Sequence, residues 1–255
     1  MPKPTMLISI ETNKDTVSKD FGRSFIESLC NEDPRLIPEK LSETENYKDP
    51  YLGVEDYLEN WWAVPTELYI DDVLIAEYFE GRAWKRKSAL AGRGKVKHGG
   101  VDIKNRKIPS RFWFESRWAR DVDFNHLFEA WVGLLHCEIG MLHLYTDAEK
   151  PILDGEHGSS FEIGSFGGPA KPGIANMGWA MAYGQEHIAE VDVTRIKAAG
   201  FPIDVRDDGI AIVRVTEKLS DVVDDFEHFS RRRSELKSFF RPDLFRIKDE
   251  PSDLV

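Results

Sequence analysis

The stretch "DFNHLFEAWVGLLHCEIGMLHLYT", residues 123–146, carries the clearest local pattern in the chain. Asp123 can cap the N-terminus of a helix, and Gly140 can end it. Between them, apolar side chains recur at helical spacing: Leu127, Phe128, Trp131, Leu134 and Leu135. The segment "MLHLYT", 141–146, then predicts a strand, and the alternating "RFWFESRW", 111–118, predicts another strand before the helix. This strand–helix–strand unit indicates an α+β fold.

The residues before this unit predict further helices and strands. They are a strand at 5–11, a helix at 18–33, an ordered insertion with short helices at 34–66 and a strand hairpin at 66–80. The insertion is rich in acidic and aromatic residues, and the hairpin turns at Asp71 and Asp72.

The residues after the unit begin with a Gly-rich connection, 154–178, which is the natural boundary between two subdomains. Beyond it we expect a strand at 177–183, a helix at 185–199, a hairpin at 202–216 and a helix at 219–240. Trp179 should pack in the core, and Gly184 should let the strand turn into the following segment. The tail, 246–255, has the composition of a solvated segment.

Length and composition are those of a globular protein, and the order of predicted elements indicates an α+β fold with mixed or antiparallel sheets and packed helices. A chain of 255 residues with 41% hydrophobic residues can bury one large core or two smaller ones. We therefore expect either a single α+β domain or two subdomains, 1–153 and 179–245, joined by the Gly-rich connection.

Charge and cysteine content bear on the partner and the compartment. The formal net charge of −11 disfavours nucleic acid and suits a basic partner. Two cysteines, Cys30 and Cys137, do not make a disulfide framework, and no apolar run is long enough for a secretory leader or a membrane span. We expect a cytoplasmic protein without a membrane partner.

Motifs for catalysis are weak throughout the sequence. His136 adjoins Cys137, but neighbouring helix positions diverge and the spacings to His126 and His143 match no standard zinc motif. The segments "HGSS", 157–160, and "GRGKVKHGG", 92–100, lack the features of a serine nucleophile site and a phosphate loop, respectively. We therefore expect neither an enzyme nor a bound metal or cofactor.

A basic segment, residues 82–111, leaves an alternative open. It holds eleven Lys or Arg residues and one acid, Asp102, and its glycines favour a mobile loop or a hairpin. With Trp84, Phe112 and Trp113 it could bind or process nucleic acid. The interpretation we favour is a basic loop that folds against the acidic remainder of the chain.

Residues 176–245 resemble the immunity protein 52 family, which is found beside bacterial polymorphic and secretion-system toxins. The resemblance lies in "NMGWAMAYG", a strand hairpin, and "VTEKLSD" leading into a helix with "RRR". It implies a non-enzymatic α+β antitoxin that binds and neutralises a cognate toxin effector, with a nuclease among the toxin types.

A basic toxin should be met by acidic residues beside aromatic ones. The residues we expect at this interface are Glu55, Asp56, Glu59, Trp61, Asp71 and Asp72.

Overall fold

A computed structural model of the chain describes residues 4–42, 46–70, 73–79, 82–101, 106–149, 174, 176–248 and 250. Its α-helices are α1 (Lys19–Glu32), α2 (Val54–Asn60), α3 (Phe124–Leu135), α4 (Val193–Ala198), α5 (Asp221–Asp224) and α6 (Phe226–Lys237). Ten of its strands form one sheet, so the predicted α+β class is confirmed.

The strands of this sheet are β1 (Thr5–Thr12), β2 (Lys40–Ser42), β3 (Asp49–Pro50), β6 (Arg82–Arg86), β7 (Gly92–Lys97), β10 (Ser110–Arg117), β11 (Ile139–Tyr145), β12 (Ala180–Tyr183), β13 (Ile203–Val205) and β14 (Ala211–Arg214). Two separate hairpins pair β4 (Pro65–Ile70) with β5 (Val73–Phe79) and β8 (Gly100–Val101) with β9 (Lys107–Ile108). The hairpin expected at 66–80 is therefore present as β4 and β5, and its expected turn lies outside the described residues.

The chain divides into two compact units, and the boundary between them falls within β1. The first unit holds Met1–Ser9 and Cys137–Val255, and the second holds Ile10–His136. This division differs from the predicted boundary at 154–178. The difference arises because β1 lies beside β11 in the strand order, so the chain's first residues join its C-terminal half.

The first unit has the strand order β13-β14-β12-β11-β1. Met181 in β12 pairs with Met141 on one side and with Val213 on the other, both antiparallel. Trp179 is buried just before β12, where its indole Nε1 donates to Thr216 Oγ1 at 3.0 Å. The predicted core position of Trp179 is confirmed.

Gly184 follows β12 directly, where the chain passes very close to the residues that precede β11. A Cβ at this position would collide with the carbonyl oxygen of Cys137. The Gly184 amide donates to Glu138 O at 2.8 Å, which holds the two segments together. The expected close turn at Gly184 is therefore present, and the reason is backbone proximity.

The second unit has the strand order β1-β10-β7-β6-β2-β3, with α1 and α3 packed by their apolar faces. Phe25 of α1 is fully buried at the centre of an aromatic core. Its ring centroid lies 4.7 Å from Trp131, 4.9 Å from Phe112, 5.6 Å from Trp62 and 5.9 Å from Trp84. These contacts bury large apolar areas, so they account for much of this unit's hydrophobic stabilisation.

Several helices are shorter than the sequence pattern indicates. Helix α3 ends at Leu135 and is capped by His136, which adopts the left-handed conformation (φ 44°), while Gly140 lies inside β11. The predicted helix at 185–199 is a 3₁₀ turn, Ile188–Glu190, followed by α4. The predicted helix at 219–240 is divided into α5 and α6 at Asp225, whose side chain accepts from His228 N.

The C-terminal residues include buried positions. Ile247 is 3% exposed and Glu250 is fully buried, whereas the sequence indicated a solvated tail. No helix among the described residues combines the length and apolarity required to cross a membrane.

Candidate protein-binding surface

The predicted interface residues fall into two groups in the structure. Asp71 and Asp72 lie outside the described residues. The remaining four lie on α2 or at its C-terminal end: Glu55, Asp56, Glu59 and Trp61. These four are brought together because they occupy one short helix.

Helix α2 is held against α1 by a close approach at Gly22. A Cβ on Gly22 would lie 2.6 Å from the ring of Trp62 and 2.8 Å from the side chain of Leu58. The indole Nε1 of Trp62 donates to Thr16 O at 3.0 Å, which fixes the ring beside α1. The missing side chain at Gly22 thus lets α2 pack tightly, with its polar residues turned toward solvent.

Two of the predicted acids are paired with basic residues of α1. Arg23 donates to both carboxylate oxygens of Glu55, at 2.5 and 2.8 Å, and Lys19 pairs with Glu59. The hydrogen bond from Arg23 lowers the pKa of Glu55, so its carboxylate is charged at neutral pH. Exposed pairs of this kind add little stability, and they leave the carboxylates accessible to a partner.

The surface around these pairs keeps a negative charge. We define the acidic face as the acids and bases that α1 and α2 present together: Asp20, Glu27, Glu55, Asp56 and Glu59, with Lys19 and Arg23. Five acids less two bases leave a formal charge of −3. Each of the seven side chains is exposed or half-buried, so this charge is available for recognition.

Trp61 is the aromatic residue at the edge of the acidic face. It is half-buried and ends α2, and its backbone N–H donates to Tyr57 O at 2.9 Å. Trp62, the next residue, is 1% exposed and belongs to the core. Of the Trp61–Trp62 pair, only Trp61 can contribute ring surface to a partner.

The basic segment 82–111 forms strands and a hairpin. It contains β6, β7 and the first residues of β10, and β8 and β9 form the hairpin between β7 and β10. Trp84 and Phe112 are buried in the aromatic core at 1% and 0% exposure. The expectation that they could stack on bases is therefore wrong, and among the three aromatics only Trp113 is half-buried.

A buried network of charged side chains in the first unit was not anticipated from the sequence. Arg233 of α6 donates to Glu149 Oε1 through Nη1 and to Glu250 Oε2 through Nε, each at 2.7 Å. The other Glu149 oxygen lies 2.8 Å from His143 Nε2, and Lys237 Nζ donates to Glu250 Oε1 at 2.6 Å. The network ties α6 to two distant parts of the chain.

The side chains around Glu149 keep its carboxylate ionised. Burial alone would raise the pKa of Glu149, but the neighbouring His143 and Arg233 side chains outweigh burial and hold that pKa well below its usual range. Burial lowers the pKa of Lys237 to about 8, against the opposing effect of Glu250. Because Glu149, Arg233 and Glu250 are fully buried, we interpret the network as structural.

The helical period could have revealed Arg233. The buried positions of α6 are Phe229, Ser230, Arg233 and Leu236. Arg233 follows Phe229 by four residues and precedes Leu236 by three, so it lies on the same buried face. Its position within "RRR" obscured this, because three consecutive arginines look like an exposed basic run.

The histidines and cysteines lie in separate environments. His126 is exposed and its Nδ1 lies 2.6 Å from Glu32, while His143 accepts from Trp179 N through Nδ1 at 3.1 Å. Cys137 is buried and Cys30 is half-buried, and the two do not form a disulfide. Within the described ranges, no three His, Cys, Asp or Glu side chains are grouped so that they could hold a metal ion.

No protein-family model matches the sequence, and no curated protein matches it either. A solved structure of similar fold is "Pseudomonas aeruginosa T6SS protein PA0821", which is 12% identical. The match covers 95% of this chain and 77% of that chain, with a TM-score of 0.59. At this identity the similarity shows a shared fold, and the resemblance to the immunity protein 52 family stays a prediction.

Proposed function

We propose that this chain is an immunity protein that binds a bacterial toxin effector and neutralises it. The acidic face of α1 and α2 is the observation that carries the proposal, because it offers fixed negative charge beside an aromatic residue. The fold shared with a protein named for the T6SS is compatible with a role beside a secretion system. The resemblance of residues 176–245 to an immunity family points in the same direction.

Charge explains how such a protein would inhibit its target. A nuclease-type toxin has to present cations to its nucleic-acid substrate, and an acidic inhibitor can occupy that surface in competition with phosphate. Complementary charge also speeds the encounter of the two proteins. The Glu55 and Glu59 pairs with α1 fix the carboxylates before binding, which reduces the entropy lost on association.

Growth protection tests this proposal. Because immunity proteins are encoded beside their toxins, the neighbouring reading frame is the expected source of the toxin. Its protein is expressed in a bacterial host together with the parent chain or with a variant. The variant carries Glu55→Gln, Asp56→Asn, Glu59→Gln and Trp61→Ala. We expect the parent to restore growth and the variant to lose protection, while the variant's circular dichroism stays unchanged because these side chains are exposed or half-buried.

A matched control removes three exposed acids elsewhere, by Asp207→Asn, Glu217→Gln and Glu227→Gln. We expect the control to protect as well as the parent. Equal protection by parent and acidic-face variant, or equal loss by control and variant, would contradict an interface at α1 and α2.

A further inference from the structure

The outer side of the sheet in the second unit collects basic side chains. Strand β10 alternates between buried and half-buried residues, with Phe112 and Phe114 facing the core. Trp113 lies on the opposite side, in register with Lys95 of β7. Because paired residues of antiparallel strands share a side of the sheet, Lys95 and its equivalents on neighbouring strands lie on that outer side.

We name this surface the cationic face and define it by six residues: Lys40, Lys85, Arg93, Lys95, Lys97 and Arg111. Two acids border it, Glu115 beside Arg93 and Glu11 at 2.9 Å from Arg111. Six bases less two acids leave a charge of +4 among these described residues, in a chain of net charge −11. Four neighbouring strands make the face about 14 Å wide.

Basic residues lie directly opposite each other across these strands. Lys85 of β6 is in register with Arg93 of β7 on one side and with Lys40 of β2 on the other. Lys97 is in register with Arg111 of β10. Like charges at directly opposed positions destabilise a sheet. Glu115 and Glu11 offset one base of two of these pairs, Arg93 and Arg111 respectively, and a bound acidic surface would neutralise charge that remains on the face.

The β8–β9 hairpin continues from the cationic face and exposes aliphatic side chains. Val101 is 67% exposed and Ile108 is 37% exposed. Lys107, in register with Val101, is also exposed. Exposed aliphatic residues next to bases are typical of surfaces that bind proteins, since the apolar side chains are covered by apolar partner residues.

Buried hydrogen bonds fix both ends of this hairpin. On the β7 side, the His98 ring nitrogens lie 2.9 Å from Thr16 Oγ1 and 2.7 Å from Trp62 O. On the β10 side, Ser110 Oγ accepts from Gly99 N at 2.7 Å and lies 2.9 Å from Thr16 Oγ1. The residues that flank β8 and β9 are therefore held in place, which favours the use of Val101 and Ile108 in recognition.

We propose that the cationic face and the β8–β9 hairpin together bind an acidic protein segment that carries apolar side chains. This surface is separate from the acidic face and does not depend on the proposed effector binding. A protein partner is favoured over nucleic acid on two grounds. The Arg93 guanidinium already covers the Trp113 ring at 5.1 Å, which opposes base stacking. The exposed Val101 and Ile108 would gain nothing from a phosphate backbone.

Fluorescence anisotropy with defined probes tests this proposal. The probes are a short labelled peptide of glutamate and leucine, the same peptide with serine in place of leucine, and single-stranded DNA and RNA of similar length. We expect the glutamate–leucine peptide to bind most tightly, with an affinity that falls as salt is raised. We expect Val101→Ser with Ile108→Ser to reduce its affinity to that of the glutamate–serine peptide.

A charge-reversal variant distinguishes an effect on peptide binding from an effect on the stability of the fold. Lys97→Glu replaces a repulsive cross-strand pair with an attractive one opposite Arg111, so we expect an equal or higher melting temperature. The same change should weaken binding of the glutamate–leucine peptide about tenfold. Lys218→Glu, at an exposed lysine of the first unit, is the control and should leave binding unchanged.

Three results would overturn the proposal. One is the absence of peptide binding at low salt. Another is tighter binding of DNA or RNA than of either peptide, which would assign the face to nucleic acid. The third is an equal loss of affinity in Lys97→Glu and Lys218→Glu, which would indicate a diffuse charge effect.

Discussion

Burial determines the chemistry of individual side chains, and Glu11 is the clearest case. Its side chain is 7% exposed and lies 2.9 Å from Arg111 Nε. Burial raises the pKa of Glu11 to about 7, although the charge of Arg111 opposes the change. Arg111 thus does not compensate fully for the water that the carboxylate has lost.

This raised pKa makes stability depend on pH. Between pH 4.5 and about 7 the folded protein holds a proton that the unfolded chain has released, so the free energy of unfolding falls as pH rises. The expected decrease across this window is about 3 kcal/mol. We expect Glu11→Gln to flatten the profile measured by urea unfolding, whereas Glu217→Gln, at an exposed position, should retain it.

Substitution of Trp179 measures how much one buried side chain stabilises the first unit. The ring is 2% exposed, and both its Nε1 and its backbone N–H donate to buried partners. We expect Trp179→Ala to lower the free energy of unfolding by about 3–5 kcal/mol. Chemical denaturation measures this, with Tyr69→Ala as an exposed control. A stable, well-folded Trp179→Ala variant would disagree with the core position of this ring.

The packing of α2 on α1 depends on the absence of a side chain at Gly22. Gly22→Ala would place a methyl group 2.6 Å from the Trp62 ring. We expect it to lower the melting temperature and to cost about 1–2 kcal/mol, because overpacking outweighs the better helix propensity of alanine. Ser24→Ala, on the exposed side of the same helix, should stay within about 0.5 kcal/mol of the parent. Equal stability of the two variants would contradict the close approach.

Helix α6 is joined to the C-terminal residues through Arg233. Arg233→Met would leave Glu149 and Glu250 buried without their shared cation, and we expect a loss of about 3–5 kcal/mol. Arg231→Met, two positions earlier, removes an exposed arginine and should change stability little. Thermal melts of the two variants measure the difference. Similar melts would show that the network contributes no more than a surface pair.

The sequence predicted which helices and strands are present better than it predicted where they end. Periodic apolar residues located α1 and α3, because amphipathic patterns reflect burial directly, and the turn residues at 207–209 located the β13–β14 hairpin. The end of α3 was misplaced, since His136 adopts a left-handed conformation that is usual for glycine. The buried charges were missed because Glu149, Arg233 and Glu250 meet only after folding.

At the scale of the whole molecule, charge is separated within the second unit. The acidic face lies on α1 and α2, and the cationic face lies on β2, β6, β7 and β10. Composition indicated both an acidic chain and a basic segment, but not their arrangement. The register of the strands was required to show that basic residues share one side of the sheet. Only the acidic face belongs to the proposed immunity function.

Calorimetric titration of the chain with the protein of the neighbouring reading frame tests the proposed function most directly. We expect the variant with Glu55→Gln, Asp56→Asn, Glu59→Gln and Trp61→Ala to bind at least a hundredfold more weakly than the parent, a loss of about 3 kcal/mol. The control with Asp207→Asn, Glu217→Gln and Glu227→Gln should retain the parent's affinity. Unchanged affinity in the acidic-face variant, or no binding by the parent, would contradict an immunity protein that acts through α1 and α2.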